Sequence, residues 1–346
     1  MNLEQLNNAF TLFLSLLVEA IPFLMLGILF SGLLLFFVDE RKLVKVLPKN
    51  PLLGSLVGSC AGFLFPVCEC GNVPVARRLL MQGVPSPVAI GFLLAAPTVN
   101  PIVFWATWVA FRDQPEIVFL RVGLSLAIAT IVGWVFSVQK DLRPLLQPNI
   151  AKIMPKPIKT VPIETVDPNM DQPALLKSGT FLLGGQAGAL VQMDSPEFLA
   201  KMEAGVEKQS LATRLNFLLD NTLQELRDLG AILVIGSAIA ALIQVFAPRE
   251  LILNLGQGPV TSILAMMTLA AVVSICSTVD AFFALSFASV FTSGSLLAFL
   301  VFGPMIDLKG IGLMMSIFKP RAILYLFALA GQLTFLATLF INLYIS

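Results

Sequence analysis

Residues 66–80 read PVCECGNVPVARRLL: two thiols, Cys68 and Cys70, flank the carboxylate of Glu69, with Gly71 and Pro74 close behind. The run before them, Leu52 to Phe65, is apolar or small throughout, and as a helix it would span about 21 Å. That falls short of the roughly 30 Å of a bilayer's hydrocarbon core. A half-length apolar helix ending at thiols, then a second half-helix, reads as a broken or re-entrant membrane element. Irregular backbone at that depth survives only where protein buries it or where it lines a cavity, so the thiols are expected to line a site. The plainer reading, a surface turn with incidental cysteines, is disfavoured because polar groups inside membranes are usually functional. Gly71 is expected to allow a sharp turn and Pro74 to open the following half-helix.

The rest of the chain suits that setting. Its 346 residues are 57% hydrophobic and 12% charged, with mean hydropathy +0.88. This is the composition of a polytopic membrane protein, and a net charge of +1 provides no field for nucleic acid. Histidine is absent, which excludes histidine relays, histidine metal sites and Ser-His nucleophiles. Any titrating group must be a carboxylate, a thiol or a lysine. Cys60, Cys68, Cys70 and Cys276 lie in apolar surroundings, unlike a secreted disulfide framework, and Cys60 reads as a small packing residue. No GxxxxGK[ST] pattern occurs, so the chain is not expected to hydrolyse ATP itself. Neither a cofactor nor a resident metal is expected. The N-terminus lacks a basic n-region, and the apolar run behind it is too long for a signal peptide, so it should persist as a span.

Taken in order, residues 1–138 form a first membrane half, 139–215 a polar, Pro-rich, partly disordered cytoplasmic linker with one or two surface helices, and 216–346 a second membrane half. The first half holds an apolar helix with Glu19 and Pro22, the broken element at 52–82, a segment at 85–111 interrupted by AAPTVNP, and a plain span at 116–138. The halves repeat. Glu19 sets over Asp228 and Gly27 over Gly236; Cys68 falls on Cys276; Phe92, Pro97 and Asn100 fall on Phe299, Pro304 and Asp307. All these offsets lie between 207 and 209, as loop trimming between duplicated units would leave them.

Basic residues in loop 39–50 and in the linker place both on the cytoplasmic side, with the N-terminus outside. If 52–82 is a re-entrant hairpin, each half makes an odd number of crossings and the halves are inverted. A full crossing there would make them parallel. The expected fold is therefore an all-α polytopic membrane protein of two inverted repeats with broken helices and about eight membrane helical elements.

Such breaks meet where transporters bind solute. The candidate solute-binding residues are Cys68, Cys70, Asn72 and Asn100 from the first half and Cys276 and Ser277 from the second, with Thr278 beside them. Glu69, Asp280, Asp307 and Glu19 are candidates for proton coupling. Lys309 is expected to pair with Asp307, and Arg121 and Arg227 to snorkel. Thiolates select soft cations and thiophilic metalloids.

At these residues the chain resembles a known family. FPVCECGNVPVARRLLMQGVPSPVAIGFLLAAPTVNP and ICSTVDAFFALSFASVFTSGSLLAFLVFGPMIDLKG are similar to the predicted permease family that includes the methylarsenite efflux permeases. Cys68, Cys70, Gly71, Pro74, Pro97, Asn100 and Pro101 carry the likeness in the first half, and Cys276, Ser277, Asp280, Gly303, Pro304 and Asp307 in the second. Thr278 stands where many members carry an acid. The resemblance implies a multi-pass permease of the plasma (inner) membrane whose best-understood branch exports trivalent organoarsenicals through cysteine thiols.

The function expected is a secondary permease for a small thiophilic or anionic solute, such as a trivalent metalloid compound, rather than an enzyme. Two alternatives stand against it. One is a membrane thiol oxidoreductase using Cys68 and Cys70, though a C-x-C disulfide closes a very small, strained loop. The other is a scaffold docking partners through the linker, which leaves the polar residues at depth unexplained. The expected partners are the solute and the lipid bilayer, with a homo-oligomer allowed and no nucleic acid.

Overall fold

The computed structural model describes residues 3–37, 47–48, 50–65, 68–138, 143–148, 150, 182–184, 190–192, 211–246 and 258–344. The basic loop at 39–46, most of the linker with its surface helices, and Pro66 and Val67 of the thiol motif lie outside the described residues. Residues 1–155 with 222–346 form one compact unit and 156–221 a second. In the second unit Leu182–Gly184 (β1) and Leu190–Gln192 (β2) pair antiparallel, Leu183 opposite Val191.

Outside that strand pair, the described elements are helices. They are α1 (Leu3–Phe37), α2 (Pro51–Ala61, prolonged by a 3-10 turn, Gly62–Leu64), α3 (Glu69–Met81), α4 (Ser86–Ala95), α5 (Pro101–Ala110) and α6 (Pro115–Ser137). After the linker come α7 (Leu211–Phe246), α8 (Pro259–Val273), α9 (Asp280–Leu285), α10 (Ser293–Met305), α11 (Leu308–Met314) and α12 (Pro320–Tyr344). Five helical stretches among the described residues are long and apolar enough to cross a membrane: Glu4–Leu33, Pro115–Ser137, Thr222–Val245, Ser293–Met314 and Pro320–Tyr344. The protein is an all-α, multi-pass membrane protein.

Local chemistry sets the helix starts. Proline is the first residue of α2, α5, α6, α8 and α12, where its missing N–H costs nothing. Asn50 and Asn100 cap α2 and α5 by accepting from Leu52 N (3.1 Å) and Ile102 N (2.8 Å), and Asp307 caps α11 by accepting from Gly310 N (2.7 Å). The segment between α4 and α5 breaks at AAPTVNP, as the prolines predict.

Glycine spacing sets the packing around the broken element. Gly54, Gly58 and Gly62 recur every fourth residue of α2 and let it lie directly on α4. A Cβ on Gly54 would meet Val88, and one on Gly62 would meet Ala96, so the two helices run side by side in the same sense. Because α3 joins the end of α2 to the start of α4, it must run back between their levels. Residues 51–81 therefore form a hairpin whose two outer ends lie at one end of the bundle. Cys60, expected to pack, lies off the glycine stripe and is exposed.

Comparable contacts occur in the second half. Ala270 of α8 lies against Gly303 of α10, at the positions matching Gly62 and Ala96 with the glycine on the other partner. The approach of Gly133 in α6 to the Pro87 carbonyl recurs as that of Gly294 in α10 to the Thr338 carbonyl in α12, again with the glycine exchanged. Yet α4 and α10 start at opposite ends of α6. Gly133, near the end of α6, adjoins Pro87 at the start of α4. At the other end of α6, Pro115, Glu116 and Ile117 line a cavity with Ser293, the first residue of α10.

Two local expectations change. Gly71 is helical, and among the described residues only Ser274 (φ 47°) and Gly83 (φ 80°) have left-handed backbone. Its lack of a side chain serves a crossing instead: a Cβ on Gly27 of α1 would sit 2.2 Å from the Gly71 carbonyl oxygen. Pro74 is the sixth residue of α3 rather than part of its first turn, because Cys68 is already the N-cap. From there it supplies no N–H to the carbonyl of Cys70, which would otherwise close the first turn of α3.

Candidate functional site

Matched turns present the cysteines. The Cys68 carbonyl accepts from Gly71 N (3.0 Å) and Asn72 N (3.2 Å), and the Cys276 carbonyl accepts from Val279 N (2.9 Å) and Asp280 N (3.0 Å). Cys68 is the N-cap of α3, and Cys276 lies four residues before the first residue of α9. The two turns come together in the core, with the Cys68 thiol near both Cys70 and Cys276. One ligand atom from each of Cys68, Glu69 and Cys70 lies within 4.8 Å of the others. The hydroxyl of Thr278, at the position matching Cys70, donates to Cys276 Sγ at 3.4 Å. Cys68, Cys70 and Cys276 are all at most 3% exposed, and Cys276 lies outside the 4.8 Å group formed by Cys68, Glu69 and Cys70.

Charge surrounds these thiols unevenly. Lys309 Nζ of α11 lies 4.0 Å from Glu69 Oε1, with the lysine side chain 1% and the glutamate 7% exposed. The expected Lys309–Asp307 pair is not the one formed. Asp307 spends Oδ1 on capping α11, and Glu69 arrives from the other half of the chain. Lys309 is nonetheless within electrostatic reach of Cys70, Asp307 and the half-buried Glu19 as well as Glu69. Glu69 Oε2 and Asp307 Oδ2 are buried without hydrogen-bond partners. A buried acceptor left so costs about 1–3 kcal/mol, which a ligand can recover.

Arg121 departs furthest from expectation. It does not snorkel: at 1% exposure its Nη2 meets Asp280 Oδ2 at 2.6 Å and the Ser277 carbonyl at 3.4 Å, while Nη1 donates to Thr107 Oγ1 at 2.7 Å. α6 thereby holds the turn that follows Cys276. A lone arginine near a helix end carries no local sign of a carboxylate 159 positions away. The matching offset does bring Thr278 over Cys70, and that signal was available in the sequence.

The remaining candidates divide. Asn72 is fully buried on α3, and neither its amide oxygen nor its amide nitrogen has a partner; Ser277 is likewise buried with its hydroxyl unpartnered. Both have polar capacity to offer a ligand. Asn100 is the cap of α5. Asp280 lies within electrostatic reach of Cys276 but is held by Arg121. The structure thus draws together Cys68, Glu69, Cys70, Cys276, Asp307 and Lys309, with Glu19 beside them.

Comparison with known proteins agrees with this picture. A family described as predicted permease matches residues 5–343. UPF0718 protein YcgR of Bacillus subtilis (strain 168) is 38% identical over 322 residues, 93% of this chain and 92% of that protein. A Streptococcus mutans serotype c protein, named as a subunit of a two-component membrane permease complex, is 32% identical over 313 residues, 90% of this chain and 88% of its own. No solved structure matches the chain.

Proposed function

The chain belongs to the predicted permease family, and from that premise we propose that it carries a thiophilic solute through the buried thiol site. The observation that carries this reading is the buried group of Cys68, Glu69 and Cys70 from the first half with Cys276 of the second half beside Cys68. Soft sulfur donors favour soft cations and trivalent metalloids, and Glu69, Asp307 and Glu19 outnumber Lys309, which disfavours an anion. Asn72 and Ser277 add neutral polar contacts. Glu69, Asp307 and Glu19 are the acids on which a counter-moving cation would act, and Asp280 takes a positioning part through Arg121.

The architecture we assign is a pair of inverted repeats in the plasma membrane. The repeated contacts Gly62–Ala96 and Ala270–Gly303, and the opposite starts of α4 and α10, support it. Matched breaks meeting at one centre are what alternating access around a fixed site requires. The S. mutans relative's name makes a second, different chain the partner to seek by copurification, alongside a second copy of this one.

Full-length protein reconstituted in vesicles tests the reading, with Cd2+ and arsenite as probes. Cys68→Ser and Cys276→Ser should each abolish saturable uptake of at least one probe and its binding, while Cys60→Ser, on the exposed face of α2, should leave both intact. Unchanged uptake in both buried-thiol variants overturns it.

A further inference from the structure

Glu69 Oε2 and Asp307 Oδ2 are buried without hydrogen-bond partners, and among the described residues the buried ammonium of Lys309 stands 4.0 Å from Glu69 Oε1, two positions along the chain from Asp307. The ammonium stands 4.0 Å from Glu69, beyond hydrogen-bonding length, whereas Arg121 and Asp280 close to 2.6 Å. A cation locked for stability would resemble the second pair. Lys309 instead sits against the carboxylate between the two first-half thiols, where an incoming cation would bind.

We propose that Lys309 is the resident cation of the empty site and competes with a positively charged soft solute for Glu69. When the solute binds the thiols and Glu69, like charge expels the ammonium, which moves to the free Oδ2 of Asp307. When the solute leaves, the ammonium returns to Glu69. This rests on the thiol-permease reading and narrows it, because only a solute bearing net positive charge is subject to such competition. A neutral thiophile such as arsenious acid is not.

The geometry supplies both ends of the movement. Lys309 follows the cap residue Asp307 by two positions, so its anchor on α11 stays put while the long flexible side chain swings. Asp307 can receive it without releasing the helix, since Oδ1 keeps the Gly310 bond and Oδ2 is the free oxygen. Pro74 leaves the Cys70 carbonyl without its usual helical donor.

The test measures Cd2+ and arsenite binding to the purified full-length protein. Lys309→Met removes the competitor and should tighten Cd2+ by about tenfold or more, the effect of deleting one buried like charge at short range. Arsenite affinity should not change. Asp307→Asn removes the landing place but keeps a side chain that caps equally well, so it folds even if Lys309→Met does not. It should weaken Cd2+ by about tenfold on the same argument and again spare arsenite. Unchanged or weaker Cd2+ binding in Lys309→Met, or unchanged Cd2+ binding in Asp307→Asn, overturns the proposal. If Cys68→Ser binds both probes like the wild type, the thiol-permease reading fails instead.

Discussion

Arg121 and Asp280 meet at 2.6 Å, whereas Lys309 and Glu69 stand 4.0 Å apart, although all four side chains are buried to a similar degree. Both pairs join the two halves of the chain. The first is closed by a short contact and by further arginine bonds to Thr107 and the Ser277 carbonyl, whereas each pair leaves one carboxylate oxygen, Asp280 Oδ1 or Glu69 Oε2, without a partner. Burial alone therefore does not tell a structural ion pair from an exchangeable one. Distance and the bonds of the cation do. Neither pair is duplicated: Ala328, Leu329 and Ala330 span the positions that the offsets match to Arg121, Asn72 matches Asp280, and Ser277 and Ile102 match Glu69 and Lys309. The turns at Cys68 and Cys276 share one hydrogen-bond pattern, and the charges around them differ.

The sharpest way to break the comparison is to unpair the closed bridge. Arg121→Leu leaves Asp280 buried without its partner, which should cost about 3–5 kcal/mol and show as lost folded yield and a lower melting midpoint in detergent. Adding Asp280→Asn places at 280 the asparagine found at the matched position 72 and should recover most of that loss. Recovery would show that this pair can be replaced by uncharged groups, as a structural bridge can. A double variant no better than Arg121→Leu would show that the charges themselves are required.

A second test concerns the crossings. Gly27→Ala drives a methyl to 2.2 Å from the Gly71 carbonyl, and overpacking of this kind costs about 1–3 kcal/mol. The matched Gly236 has nothing nearer than 3.9 Å, so Gly236→Ala should be neutral or slightly stabilising through helix propensity. Equal melting midpoints for the two variants would remove the distinction between a tight α1–α3 crossing and a loose α7–α11 one.

The smallest effects belong to the caps. Asn100→Ala removes the bond to Ile102 N and should cost about 1 kcal/mol, while Asn100→Asp, which imports the residue found at the matched position, should stay near wild type. If Asn100→Asp instead destabilises as much as alanine, Asn100 has a role beyond the cap.

The sequence by itself determined the membrane setting and the break at AAPTVNP. Both rest on local composition and proline chemistry, which are visible along one dimension. Only the tertiary structure decided which charges meet. Lys309 has a carboxylate two residues away, yet pairs with Glu69 because the cap occupies one oxygen of Asp307 and the opposing half presents Glu69. Arg121 looked like a surface anchor until the fold set Asp280 against it. The same holds for Gly71, whose helical backbone gives no reason for glycine until α1 crosses it at Gly27. Long side chains reach several partners at once, and which one they take depends on backbone placed by the rest of the chain.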